Sequence, residues 1–494
     1  MGQCSSQKIK QSMRAKIQEA KQKQSQTTTP NRQTTQLNGV RSQSRHNTHS
    51  AFQSHNDLSQ PAYSLKNINF FLVYRNTNFS SFYSLLKQED KDFPFTTIQH
   101  NNTGIVRIIK SYKSSDSKYI ASLLKYQLHH PNLIQQFEIY EEQQKYHVAE
   151  ENNEKIVVLN SKIYNDEKEI AFIFNQIVEV IEYLHHQKLT HGHLTLECFA
   201  LFGDKYLKLY DLYHLFMKKK PTLEESHYLP PEYFENQEYS EERDIWSLGI
   251  ILYNLLYHKS PFQSNIASLL KLDVQASNIS YENKISDEAK SLLQQILEKN
   301  PKSRITISDI TKHIWFKKQQ IVLPEEQVRE TLLRLRESKK LNILQVYLLK
   351  FIINNYPPDK LREIYSVFRS LDLDNDGYFS ISELITSYTE YVEDSNNTKI
   401  ICMNIFQKVD MDKDKKITFQ EFILYAFDRK ELIEEERIDI SFKLLKNKKN
   451  FITAETLATQ YTLEKEFFTE IMIELLKKDY MTFQNFKDLM NKTV

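Results

Sequence analysis

Residues 372–383 read D-L-D-N-D-G-Y-F-S-I-S-E, and no other stretch narrows the local fold as far. Asp372, Asp374 and Asp376 stand at alternate positions, so their carboxylates converge only if the backbone wraps tightly around one point. Gly377 sits where that wrap needs a positive φ, and it is one of only seven glycines in 494 residues. Tyr378 adds a backbone carbonyl, Ser380 a hydroxyl or a bound water, and Glu383 a bidentate carboxylate. An all-oxygen set at this spacing, held between two helices, is suited to Ca2+.

A second copy starts 38 residues later. Asp410, Asp412 and Asp414 repeat the carboxylates, Lys416 offers its carbonyl, Thr418 follows, and Glu421 closes the loop. Ile417 is expected to pair with Phe379 across the two loops. Lys415 stands where glycine is usual, at a cost of about 1 kcal/mol, so this site is expected to be weaker. Two more helix-loop-helix shapes, around 442–457 and 473–490, have lost their acidic ligands. Thr456 and Asn485 replace the closing glutamates, and lysines stand where aspartates belong. This second pair is expected to be structural or to grip a target.

Length allows two to four domains. The net charge of +1 provides no field for nucleic acid, and three distant cysteines imply a reducing compartment without disulfides. The longest apolar run, Leu248–Tyr257, is too short to span a bilayer. Residues 1–60 carry nine Lys/Arg against Glu19 and Asp57, amid Gln, Ser, Thr and Asn, as in a flexible arm. The start, M-G-Q-C-S-S, fits an N-myristoylation signal at Gly2, with Cys4 placed for palmitoylation. One acyl chain anchors weakly, so Cys4 and the basic cluster Lys8–Lys23 would supply the second signal. The expected location is the cytoplasmic face of a membrane, with a cytosolic pool.

The middle of the chain resembles a protein kinase. Y-L-H-H-Q-K-L-T-H-G-H-L-T-L-E is similar to the approach to a catalytic loop, K-L-Y-D-L-Y to the magnesium-binding segment, and L-P-P-E-Y-F to the end of an activation segment. H-H-P-N-L resembles the loop after helix C. Glu232 and Arg304 fall where kinases keep a structural ion pair. The resemblance implies a catalytic Asp, Lys and Asn, but His193, Thr195 and Cys198 occupy those positions. Losing the general base alone costs about 10²–10⁴ in rate, so no catalytic residue is expected. Lys110 and Asp211 remain as residual nucleotide- and magnesium-binding positions. The phosphate-covering stretch Gln88–Phe95 has no glycine, and Ala121 aligns with the helix C glutamate. Binding of ATP with Mg2+ is therefore expected to be weak or absent.

Between these parts, Val328, Leu332 and Leu335, then Leu341, Leu344, Leu348 and Phe351, recur at helical spacing. Arg329, Arg334, Arg336, Lys339 and Lys340 add a basic face, the type of helix that a calmodulin-like groove grips. Taken in order, the segments resemble the calcium-dependent protein kinases. The fold class expected is α+β, a bilobal kinase-like domain followed by an all-α EF-hand domain. The segments are an arm (1–62), the kinase-like domain (63–317), one junction helix (318–355), a calcium-binding EF-hand pair (356–430) and a degenerate pair (431–494). The resemblance implies a calcium sensor whose lobes hold the junction helix. With its catalytic positions replaced, it would regulate or scaffold a protein partner, an active kinase or a phosphorylation substrate. An active Ser/Thr kinase with an atypical catalytic loop and a passive calcium buffer are the alternatives.

Overall fold

The structure is a computed structural model. It describes Leu72–Val494 except residues 76, 89–94, 102–103, 127, 154, 161–163, 204–205, 237–238, 277, 283, 320–324, 357, 375, 393–396 and 462–463. The expected acylation positions Gly2 and Cys4, the basic arm and most of the Gln88–Phe95 stretch lie outside the described residues. Residues 68–494 form one unit by contact, which includes both the kinase-like and the EF-hand parts.

Alternating apolar residues build a six-stranded sheet in the order β1-β5-β6-β4-β3-β2. These are β1 (Val73–Arg75), β2 (Tyr83–Lys87), β3 (Thr96–His100), β4 (Val106–Lys113), β5 (Gln136–Glu142) and β6 (Lys145–Glu150). β1 runs parallel to β5, while the other pairs are antiparallel, and the β4–β6 register sets Lys110 opposite Val148. A ten-residue helix, α1 (Ser117–Tyr126), turns Tyr119, Ile120 and Leu123 inward.

The second lobe is helical and is centred on α2 (Glu167–His186) and α3 (Glu241–Tyr257), with α4 (Asp287–Ile296) against α3. α2 presents Ile170, Phe174, Ile177 and Ile181 at helical spacing to a dry core. A small sheet of β7 (Ile156–Val158), β8 (Phe199–Phe202) and β9 (Tyr206–Leu209) carries the loops facing the cleft. Glu232 and Arg304 form the ion pair at 2.6 Å, with the guanidinium fully buried. Among the described residues, no helix is long and apolar enough to cross a membrane.

The junction differs from expectation. The single helix expected over 318–355 is two, α5 (Glu325–Glu337) and α6 (Ile343–Asn354). Asn342 caps α6, accepting the Gln345 N–H, while the Lys408 ammonium donates to the carbonyls of Leu335, Arg336 and Ser338 at the end of α5. Capping from both sides makes a break at 338–342 cheaper than continuation. Only α5 is amphipathic: Val328, Leu332 and Leu335 are buried, and Arg329 and Arg334 pair with Glu326 and Glu330 on the same helix. α6 is buried on nearly every side.

Both halves are already held by the helical domain. α5 packs on α8 (Ile381–Tyr391), α9 (Thr398–Val409) and α10 (Phe419–Ala426), and also meets α7 (Pro358–Leu371). α6 packs against α11 (Glu435–Leu445), and the degenerate pair continues with α12 (Ala454–Tyr461), α13 (Lys465–Leu476) and α14 (Phe483–Asn491). That pair keeps its architecture, joined by β10 (Ile452–Thr453) and β11 (Tyr480–Met481).

Candidate functional site

The two acidic loops come together through one antiparallel bridge, Phe379 to Ile417, with reciprocal hydrogen bonds of 2.9 and 3.0 Å. In the first loop, Asp372, Asp374 and Glu383 place one oxygen each within 4.8 Å of one another. The Asp372 carboxylate accepts the N–H groups of Asp376 and Gly377, and Glu383 accepts those of Leu373, Asp374 and Ser380. Gly377 has φ +81°, as its position requires. Tyr378 and Ser380 follow in the wrap, with the Ser380 side chain donating to Glu383.

The second loop repeats this arrangement: Asp410, Asp412 and Glu421 cluster within 4.8 Å, and Thr418 donates to Glu421. Asp414 accepts the Lys416 N–H, and Lys415 adopts φ +67°, the left-handed conformation that glycine would take without strain. One buried oxygen, Asp410 Oδ1, has no hydrogen-bond partner.

These carboxylates are costly to ionise. Burial, with Glu383 and Asp376 adding like charge against the opposing Arg369, pushes Asp372 up to about 7. Burial likewise raises Glu383, Asp410 and Glu421. Side chains of the protein supply part of the missing positive charge. Lys416 Nζ lies 3.2 Å from Asp376, and Arg369 lies 3.5 Å from Asp372. Converging buried oxygens, one of them orphaned, are a donor set that fits Ca2+. In the degenerate pair, Thr456 and Asn485 are engaged in local turns, and no such cluster forms there among the described residues.

The first calcium loop rests on the kinase-like body. Arg369 of α7 bonds Glu182 of α2 at 2.7 Å as well as approaching Asp372, and Arg362 bonds Glu179 at 2.6 Å. His130 packs edge-on to Tyr365 at 4.5 Å, and His129 stacks on Phe419. A Cβ built at Gly377 would stand 3.6 Å from the His186 ring. Sequence reading missed this docking. Its signal, arginines seven apart on α7 and glutamates three apart on α2, has meaning only when both helices are known to touch.

Most polar groups of the kinase-like cleft are paired with one another. Lys110 bonds Glu150 of β6 at 2.8 Å and the Tyr210 carbonyl at 2.9 Å. Ala121, the expected helix C position, faces solvent; the acidic partner comes from the sheet. Asp211 accepts from His214 at 2.9 Å, and although burial opposes ionisation, His214, His191 and Lys110 hold it at about 2. Tyr213 is wedged between Tyr112 and Tyr119 and donates to Asp116.

Gly192 lets the catalytic-loop backbone pass close to Tyr239: with φ +77°, any Cβ there would lie 2.4 Å from that ring. Asp244 accepts the N–H groups of His191 and Gly192 and bonds His185. His193 bonds Tyr239 Oη at 2.8 Å, and burial together with Arg243 lowers it to about 3, which leaves it neutral at physiological pH. Cys198 donates to the His193 carbonyl and sits within 3.6 Å of the Thr195 hydroxyl; burial raises its thiol far above the usual range.

A bilobal sheet-and-helix body joined to paired acidic loops defines a calcium-sensing kinase-fold protein. The protein kinase domain family matches residues 96–316, and the EF-hand domain pair matches 361–426. "Calcium-dependent protein kinase 22" of Arabidopsis thaliana is 28% identical over 340 residues, 63% of this chain and 67% of the relative. "Calcium-dependent protein kinase 4" of Plasmodium falciparum (isolate 3D7) is 27% identical over 403 residues, 74% of this chain and 76% of the relative. Over both its kinase-like and its EF-hand parts the chain is similar to the calcium-dependent protein kinases.

Proposed function

We propose that this protein is a pseudokinase: it senses calcium and controls a protein partner, an active kinase or a phosphorylation substrate, through its kinase-shaped surface. The observation that carries this reading is the buried, neutral His193, bonded to Tyr239, at the position of the proton acceptor. An imidazole hydrogen-bonded to Tyr239 is a poor base for an incoming hydroxyl, and Lys110 takes its carboxylate from β6 instead of from the helix C position that positions this lysine in an active kinase. Asp372, Asp374, Asp376, Glu383 and their counterparts in the second loop would hold Ca2+, which supplies charge neutralisation at both loops.

Arg369 gives this sensing a route to the body. It is shared between Asp372 and Glu182, so calcium occupancy and the tie between α7 and α2 draw on the same side chain. Gly2, Cys4 and the basic arm would tether the protein to an anionic membrane surface. Phosphoryl transfer from radiolabelled ATP, with Mg2+ or Mn2+ and saturating Ca2+, tests the reading. No transfer above a Lys110→Met control is expected. Turnover that depends on Lys110 and Asp211 would overturn it. Hydrogen exchange over 328–352 tests the sensor, with calcium-dependent protection expected.

A further inference from the structure

One buried group in the retired cleft is left without a partner. His193 Nδ1 has no hydrogen bond, although its side chain is fully buried. It faces Glu225 Oε2 at 3.8 Å, and His214 Nε2 faces Glu225 Oε1 at 3.9 Å. Those separations are too long for hydrogen bonds. The two imidazoles stack with centroids 4.9 Å apart, and the three ligating atoms lie within 4.8 Å of one another.

The surrounding bonds orient both rings. Tyr239 donates its hydroxyl hydrogen to the Lys219 carbonyl, so its oxygen accepts from His193 Nε2–H and leaves Nδ1 with a lone pair. Asp211 accepts from His214 Nδ1–H and, with Glu225, raises the imidazole above its usual range, so Nε2 releases a proton when it ligates. Glu225 Oε2 accepts the Thr222 N–H and faces His193 Nδ1, while Oε1 faces His214 Nε2. Two imidazole nitrogens and a carboxylate therefore converge without a hydrogen bond between them.

We propose that His193, His214 and Glu225 form a binding site for a borderline divalent transition-metal ion, Zn2+ foremost. Two imidazole nitrogens and one carboxylate are a three-ligand zinc set with an open fourth position. Zinc–ligand bonds of about 2.0–2.1 Å put neighbouring ligand atoms roughly 3.4 Å apart, a small contraction from the observed spacing. The open side gives onto a cleft of about 840 Å³ lined by His193, Asp211, Glu225, His227 and Phe262. Asp211 to His214 and Tyr239 to His193 are the outer-shell bonds that orient metal-binding histidines. Ca2+ would not compete, because it requires six to eight oxygens. Lys219 and Arg243 lie near the histidines and oppose a dication; Asp211 and Glu225 offset them. A metal here would pin the activation segment to the catalytic loop, replacing phosphotransfer chemistry with a structural clasp.

The test is a Zn2+ titration of the full chain by calorimetry with Ca2+ saturating, plus the visible spectrum of the Co2+-loaded protein. One equivalent beyond the calcium loops and a tetrahedral Co2+ spectrum are expected. His214→Gln and His193→Gln should abolish both. Asp211→Asn, which removes only the orienting carboxylate, should weaken binding roughly 10- to 100-fold. Because His193→Gln can disturb packing, each variant is accepted only if it keeps the wild-type thermal shift with Ca2+. Absence of a third equivalent, as when a proton on His214 Nε2 satisfies the cluster instead, overturns the proposal. So does zinc binding that persists in folded His214→Gln.

Discussion

The calcium loops and the kinase-like cleft differ in how their polar groups are satisfied. In the loops, carboxylates are crowded and buried with one oxygen orphaned, and Asp372 is pushed up to about 7. In the cleft, Lys110 has Glu150, Asp211 has His214, and Cys198 has the His193 carbonyl. A site that still expects a ligand keeps its donors in an unfavourable state until the ligand arrives. A site released from its ligand is free to pair its groups with one another. By that criterion the loops are poised for a ligand, and the cleft fits the pseudokinase reading proposed above.

The largest effect should come from removing the first loop's closing carboxylate. Glu383→Gln is expected to lower the calcium stoichiometry measured by calorimetry from two to one. An unchanged stoichiometry would erase the contrast between loops and cleft. Next in size is Arg369→Met. Glu182 would keep only the Ser308 hydroxyl as a partner, and breaking a buried pair costs about 3–5 kcal/mol. A lower thermal midpoint is expected, with tighter calcium binding at the first loop because Asp372 loses its competitor. Weaker calcium binding would mean that Arg369 supports the loop instead of competing for it.

Much of this contrast could be read in the sequence, and what could not has a definite cause. Asp372, Gly377 and Glu383 announce their chemistry because calcium ligation fixes both residue type and spacing. The replaced His193, Thr195 and Cys198 are visible for the same reason. The partner of Lys110 was not legible, since Glu150 comes from a neighbouring strand whose register only the folded sheet defines. The break at 338–342 was hidden because Lys408, which caps α5, lies 70 residues away in sequence from Ser338. The docking of α7 on α2 depends on two ion pairs and a pair of histidines that no local pattern connects.

That docking has a pH signature. Burial, and secondarily Lys208, lowers His129 to about 3, whereas an unfolded histidine titrates near 6.5. Between those values the unfolded chain binds the extra proton, so stability is lost as pH falls below 6.5, with a limiting slope of about 1.4 kcal/mol per unit. His129→Leu should flatten that slope by one proton's worth, some 2 kcal/mol between pH 6.5 and 5. Thermal midpoints across this range measure it. Parallel curves for the two proteins would mean that the imidazole is not kept neutral by the α10 contact.

The smallest effect separates the two calcium loops from each other. Gly377 and Lys415 occupy the same position with φ +81° and +67°, and only the lysine carries a Cβ into that conformation. The strain is about 1 kcal/mol, and Lys415 N–H still reaches Asp410 at 3.1 Å, so the ligand geometry is intact. Lys415→Gly should therefore tighten the second loop roughly five-fold, as about 1 kcal/mol implies. Measured in the Glu383→Gln background, the second loop titrates alone and the change is unambiguous. The reciprocal variant, Gly377→Ala, has room for its Cβ beside His186, so its cost should be conformational and similar in size. If Lys415→Gly left the second loop's affinity unchanged, backbone strain would not be what distinguishes the loops, and the difference would lie in their charges, where Lys416 already leans on Asp376.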